Sequence, residues 1–155
     1  MTNEESRIAD SIREVFRGVA LGQGIGLRQG NGLDDYEDAR TLAEYRLLDE
    51  KHDWEKISTD DLNSYSCSLA FFDSDGMRFH LPAYLIADLK GQLNTSLLFH
   101  LAYIGNEAGF RFGALSVAQR RVVREFLSMR LAYPDHEFER AMIEEALRIY
   151  WKPAE

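Results

Sequence analysis

The chain has 155 residues, 18 basic against 26 acidic side chains and a formal charge of −8, with 45% hydrophobic and 28% charged residues. That composition is globular rather than disordered, and the length suits one domain, residues 1–155, that buries roughly 68–70% of its unfolded surface without staples. The negative field repels nucleic acid and anionic membranes, and a lone cysteine, Cys67, excludes an internal disulfide or a multi-cysteine zinc site. No apolar run approaches the ~18 residues that cross a bilayer. The acidic start MTNEESRIADS lacks the basic and apolar regions of a signal peptide, which points to the cytoplasm.

Ile8, Ile12, Val15 and Phe16 recur at helical spacing and predict a first helix over 5–17, ended by Gly18. The next stretch, GVALGQGIGLRQGNGLDDYEDA, holds Gly18, Gly22, Gly24, Gly26, Gly30 and Gly32. It misses the dinucleotide pattern, because Leu27 or Gln29 stands where the third glycine belongs, and it has no Gly-Lys-Ser/Thr. It also follows a helix rather than a strand, so it reads as an irregular connector. Asp34 or Asp35 then caps a helix to about Lys51, with Tyr36, Ala39, Ala43 and Leu47 inward. Ser58 or Thr59 opens a short turn of helix through Leu62, and Trp54 and Ile57 anchor these pieces to the core.

Period-two alternation in SCSLAFF (Cys67, Leu69, Phe71) and in MRFHL (Met77, Phe79, Leu81), joined by DSDG, predicts an antiparallel β-hairpin. Cys67 is then a buried, inert thiol, and Pro82 starts a helix that Gly91 ends. LLFHLAYIG reads as a helix capped by Thr95 or Ser96, and residues 110–112, FRF, as a short third strand. Ser116 and Gln119 form a capping box for a helix that buries Val122, Val123, Phe126 and Leu127. After YPDH, Asp135 caps a last helix with Phe138, Met142, Leu147 and Ile149 inward. The expected fold is α+β: helices packed on a small antiparallel hairpin sheet of two or three strands, in a single domain.

Arg78 and His80 alternate with the hairpin's core residues and so share its outer face, near Tyr84 and Tyr65. His80 has the pKa range for acid–base work, but no partner for it is legible. His52, His80, His100 and His136 form no H-x-x-x-H pair, and DSDG fails the calcium-loop pattern at Met77, Arg78 and Tyr84. There is no G-x-S-x-G elbow, and RRVVRE reads as one face of an amphipathic helix. No catalytic residue, metal ligand or cofactor is assigned. The carboxylates Asp34, Asp35, Glu37 and Asp38 read either as a helix N-terminus or as a surface for a basic partner.

GIGL at 24–27, DDY at 34–36, DW..I at 53–57, LAFFDSDGMRFHLPAYL at 69–85, LS..Q...V..FL at 115–127 and ALRIYW at 146–151 together are distinctive. The chain resembles, over nearly its whole length, a family of small uncharacterised bacterial proteins with an RF(Y/H)LPAYL motif. The resemblance implies a bacterial cytoplasmic domain, sets His80 where Tyr is common, and carries no reaction.

The favoured function is therefore a non-enzymatic protein-binding module of the toxin-neutralising, immunity type. Its surface would combine Asp34, Asp35 and Asp38 with Arg78, His80 and Tyr84 and meet a basic protein, without nucleic acid or membrane. The alternatives are a small-ligand protein or enzyme with a pocket around Arg78 and His80, and a homo-oligomer joined through LLFHLAYIG.

Overall fold

The computed structural model describes residues 1–103, 105 and 111–153, with the side chains of 134–136 outside that description. Every regular element among the described residues is helical, so the expected α+β hairpin fold is replaced by a helical one. Among those residues no helix is long and apolar enough to cross a membrane.

Helix α1 (Asn3–Val15) starts on a capping box in which the Thr2 hydroxyl accepts from Glu5 N–H and the Glu5 carboxylate accepts from Thr2 N–H. It buries Ile8, Ala9 and Ile12, and Gly18 follows with φ +77°. The glycine-rich stretch is more than a connector, because it contains helix α2 (Leu27–Asp34). Asp38, rather than Asp34 or Asp35, caps α3 (Ala39–Leu48) by accepting from Thr41 N–H at 2.8 Å. Helix α3 buries no residue, and the expected inner stripe faces outward, with Tyr36 and Leu47 exposed. Its other face, around Leu42 and Tyr45, lies against Gly32 of α2.

Ser58 caps α4 (Thr59–Ser64), as expected, and Trp54 anchors its 3-10 turn by donating from Nε1 to Phe16 O at 2.9 Å. The two hairpin strands are instead a 3-10 turn, Ser66–Ala70, and helix α5, Ser74–Leu89. DSDG is the start of that helix: Asp73 is the N-cap and accepts from Gly76 N–H at 2.9 Å. Helix α5 is central and buried on nearly every side, including Met77, Phe79, Leu81, Leu85 and Leu89. A helix buried all round has no polar stripe, so residues 77, 79 and 81 satisfy a strand's alternation by accident. Pro82 lies inside α5 rather than at its start, which leaves the Arg78 carbonyl without its usual helical donor. Gly91, φ +69°, closes α5, with Gln92 N–H donating to Ala87 O at 3.0 Å. Cys67, on the 3-10 turn, is exposed rather than buried.

Ser96 caps α6 (Leu97–Ala102). Residues 111 and 112 are helical, which removes the expected third strand there, and Phe110 lies outside the described residues. The Ser116–Gln119 capping box opens α7 (Val117–Arg130), which buries the four expected residues. A 3-10 turn, Pro134–Glu139, precedes α8 (Arg140–Ile149). The Asp135 side chain, expected to cap α8, lies outside the described residues, and Glu139 holds the position before the helix. Helix α8 buries Ile143 and Ala146, whereas Phe138 and Ile149 are exposed.

Helix α5 packs on α1, α4 and α6, α1 packs on α7, and α8 packs on α6 and α7. Arg130, at the end of α7, ties three of these helices together: it donates to Glu5 Oε2 of α1 at 3.3 Å and to Asp88 Oδ2 of α5 at 3.1 Å. The α2–α3 pair joins this body through the 3-10 turn at 66–70, where Ser68 Oγ donates to Leu27 O.

Candidate functional site

The structure separates the six residues singled out in the sequence. Asp34, Asp35 and Asp38 lie on the surface where α2 turns into α3, whereas Arg78, His80 and Tyr84 belong to α5. His80 and Tyr84 are completely buried, and there is no hairpin face for them to share with a partner.

The α2–α3 turn is built by the end of α2. Tyr36 N–H donates to Leu33 O at 3.2 Å and Glu37 N–H to Gly32 O at 3.0 Å, the pairing of a helix stop whose bridging residue is left-handed. Glycine ordinarily fills that position, yet here it is Tyr36, with φ +58°. Its side chain is 95% exposed. Leu47 and Leu48, at the end of α3, are 79% and 69% exposed. Asp34, Asp35, Glu37 and Asp38 flank Tyr36 on both sides. The bond from Thr41 N–H holds Asp38 below the usual carboxylate range. The arginines of α3 do not offset this charge freely: Arg40 lies 3.4 Å from Glu44, and Arg46 donates to Gly22 O at 2.7 Å and Gly24 O at 3.2 Å.

A second arrangement surrounds a cavity of 440 Å³ between the start of α2, residues 48–57, α4 and α5. Arg28, Asp49, Lys51, Lys56 and Asp61 line it, and His80 lies in its wall. Asp49 is fully buried and caps α2 from outside that helix, its two oxygens accepting from Arg28 N–H at 2.8 Å and Gln29 N–H at 3.2 Å. Burial pushes its pKa up, against the pull of those two bonds and of Arg28. Arg28 donates from Nη1 to Leu48 O at 3.2 Å and lies over the Tyr65 ring at 5.2 Å.

His80 is held by a stack on Phe72 at 4.3 Å and by a 2.7 Å contact from Nδ1 to Gly76 O. A carbonyl only accepts, so Nδ1 carries the proton and Nε2 presents a lone pair. Desolvation lowers the His80 pKa to about 4, which keeps the ring neutral near pH 7. Nε2 is buried without a partner among the described residues, as are Tyr84 Oη and Arg78 Nε. The ring can therefore accept a hydrogen bond from a water or ligand. The Asp73 carboxylate acts on the ring through its charge but makes no hydrogen bond to it, and no three His, Cys, Asp or Glu among the described residues converge as metal ligands would.

Sequence patterning missed the outward Tyr36 and the buried Asp49. A tyrosine within the acidic run DDYED, between two helices rather than inside one, was the available signal for the first. Nothing local marks Asp49.

The described residues thus form a helical protein with an exposed acidic–aromatic turn and a polar cleft open to solvent. The chain belongs to a family of unknown function, DUF6714, whose model matches residues 4–155. No curated protein and no solved structure matches it.

Proposed function

We propose that this protein is a non-enzymatic protein-binding module, most concretely a toxin-neutralising (immunity-type) protein, and that it meets a basic protein partner through the α2–α3 turn. The observation that carries the proposal is Tyr36. A tyrosine held at positive φ costs roughly 1 kcal/mol relative to glycine, and its exposed ring recovers none of this by burial in the free protein. Tyrosine supplies a large, rigid contact area and is enriched among the residues that dominate binding energy. Leu47 and Leu48 add apolar surface beyond it, and Asp34, Asp35 and Asp38 supply charge that speeds encounter with a basic partner and orients it.

Isolation of the tagged protein at low expression from its native host, with mass spectrometry of what accompanies it, tests this. A stoichiometric basic protein released at high salt is the expected result. With that partner in hand, Asp34→Lys with Asp35→Lys should lower the association rate and its salt sensitivity, and Tyr36→Ala should raise the dissociation rate. Unchanged kinetics in both variants would remove this surface from consideration. Asp38 is better changed to Asn, which keeps a capping side chain for α3.

A second reading rests on His80, which lines the 440 Å³ cavity and carries a buried, unpartnered Nε2 that a small ligand with a hydrogen-bond donor would reach on a shift of its cover. Native mass spectrometry of the gently isolated protein tests it. A bound metabolite released by His80→Phe supports it, and a ligand-free protein with a single ordered water on Nε2 ends it.

A further inference from the structure

We propose that a separate, basic cavity between α7 and residues 150–153 binds a phosphate-bearing small molecule. The cavity measures 480 Å³, and its wall contains Arg120, Arg121, Arg124 and Lys152 beside Tyr150 and Trp151. Among the described residues four cations and no carboxylate line it, in a chain whose formal charge is −8. Positions 121 and 124 lie on the outer side of α7, and Arg120 sits at the edge between them and the buried Val123 and Leu127.

The cations divide by role. Arg120 is structural: it donates to Tyr150 O at 2.6 Å and lies over the rings of Tyr150 at 4.5 Å and Trp151 at 5.0 Å. Trp151 is buried and fixed by donating from Nε1 to Leu101 O at 2.8 Å and by an edge contact with Phe112 at 5.1 Å. One wall is therefore rigid before any ligand arrives, which lowers the ordering cost of binding. Arg121, Arg124 and Lys152 make no hydrogen bond or ion pair among the described residues, so their donors remain available.

Two guanidinium forks and an ammonium match a phosphate or diphosphate, which accepts several charge-assisted bonds at once. The volume lies within the range of small-molecule sites. A long polyanion is disfavoured, because it would extend beyond these cations into the field of an acidic chain, whereas a compact anion stays within about one Debye length of them.

Calorimetric titration with inorganic pyrophosphate, in chloride buffer of matched ionic strength, tests the proposal. Saturable one-site binding is expected. It should weaken about tenfold or more in Arg121→Gln with Arg124→Gln, partly return in Arg121→Lys with Arg124→Lys, and persist in the control Arg40→Gln, on the exposed helix α3. Circular dichroism and a thermal melt would establish that each variant is folded. No saturable heat, or equal binding by the glutamine pair, overturns the site. Tighter binding of a single-stranded thymidine oligonucleotide through the same arginines overturns the small-molecule assignment in favour of nucleic acid.

Discussion

Gly26 and Asp49 are fitted to each other. A Cβ built on Gly26 would collide with Asp49 Oδ2 and lie 2.8 Å from its Cγ, so only glycine lets this carboxylate reach the amides that open α2. Gly26→Ala should therefore lower stability by on the order of 2 kcal/mol in chemical denaturation, with Asp49→Ala costing a similar amount. Because both changes remove one cap, the double variant should cost less than the sum; strict additivity would count against the coupling.

Arg130 carries a buried charge between two helices other than its own. It is nearly buried, lies over Phe126 and Tyr133, and joins Glu5 to Asp88. Arg130→Ala removes the cation that Glu5 and Asp88 share at a nearly buried site and should cost about 3–5 kcal/mol, measured as a shift in the denaturation midpoint at unchanged slope. A loss under 1 kcal/mol would mean that water replaces the guanidinium without penalty.

Acid lability follows from His80. Its folded pKa of about 4 lies below the ordinary 6.5, so on acidification the unfolded chain takes up a proton first. The stability from this group is complete above pH 6.5 and is lost as pH falls toward 4, on the order of 3 kcal/mol in all. His100, also lowered to about 4 by desolvation and then by Arg111, adds to the loss. Between pH 6.5 and 5, His80→Phe should flatten the stability curve measurably; an unchanged slope would refute the assignment.

Tyr36→Gly should stabilise the free protein by about 1 kcal/mol, because glycine adopts φ +58° without the Cβ penalty. The same change should weaken partner binding. Destabilisation instead would mean that the ring contributes to the fold, despite its exposure.

Cys67 should react with a thiol reagent in the folded protein without denaturant, since it is exposed. Its pKa is raised, chiefly by desolvation and then by Asp34, so labelling near pH 8 should be slower than for the unfolded chain. Asp34→Lys should accelerate it.

Helix starts were the most legible part of the sequence. Ser58, Ser96 and the Ser116–Gln119 box act locally, each through a side chain and an amide three residues away. The central element is not legible in the sequence because what determines it is not local. Helix α5 is buried from several directions, so its sequence shows neither a polar stripe nor a reason to tolerate Pro82. Asp-Ser-Asp-Gly suits both a turn and a helix start, and the choice depends on distant packing. Gly76 is there for close approach, with Ile25 O 2.6 Å from where its Cβ would be, while Asp73 also accepts from Ile25 N–H at 3.0 Å. The carboxylates at 34, 35 and 38 were visible as a charged surface. The outward turn of Tyr36, Ala43 and Leu47 was not, because a helix resting on a second small helix shows the same spacing as one resting on a core.

Helix α3 is attached without burying a side chain of its own, through Leu42 and Tyr45 against Gly32 and through polar links such as those from Arg46 to the carbonyls of Gly22 and Gly24. Substitutions at positions 36, 43 and 47 therefore fall outside the core and leave the packing of α5 untouched. The outer face of this turn can change in sequence without disturbing the core, a separation of surface from scaffold that originates in one helix leaning on glycine.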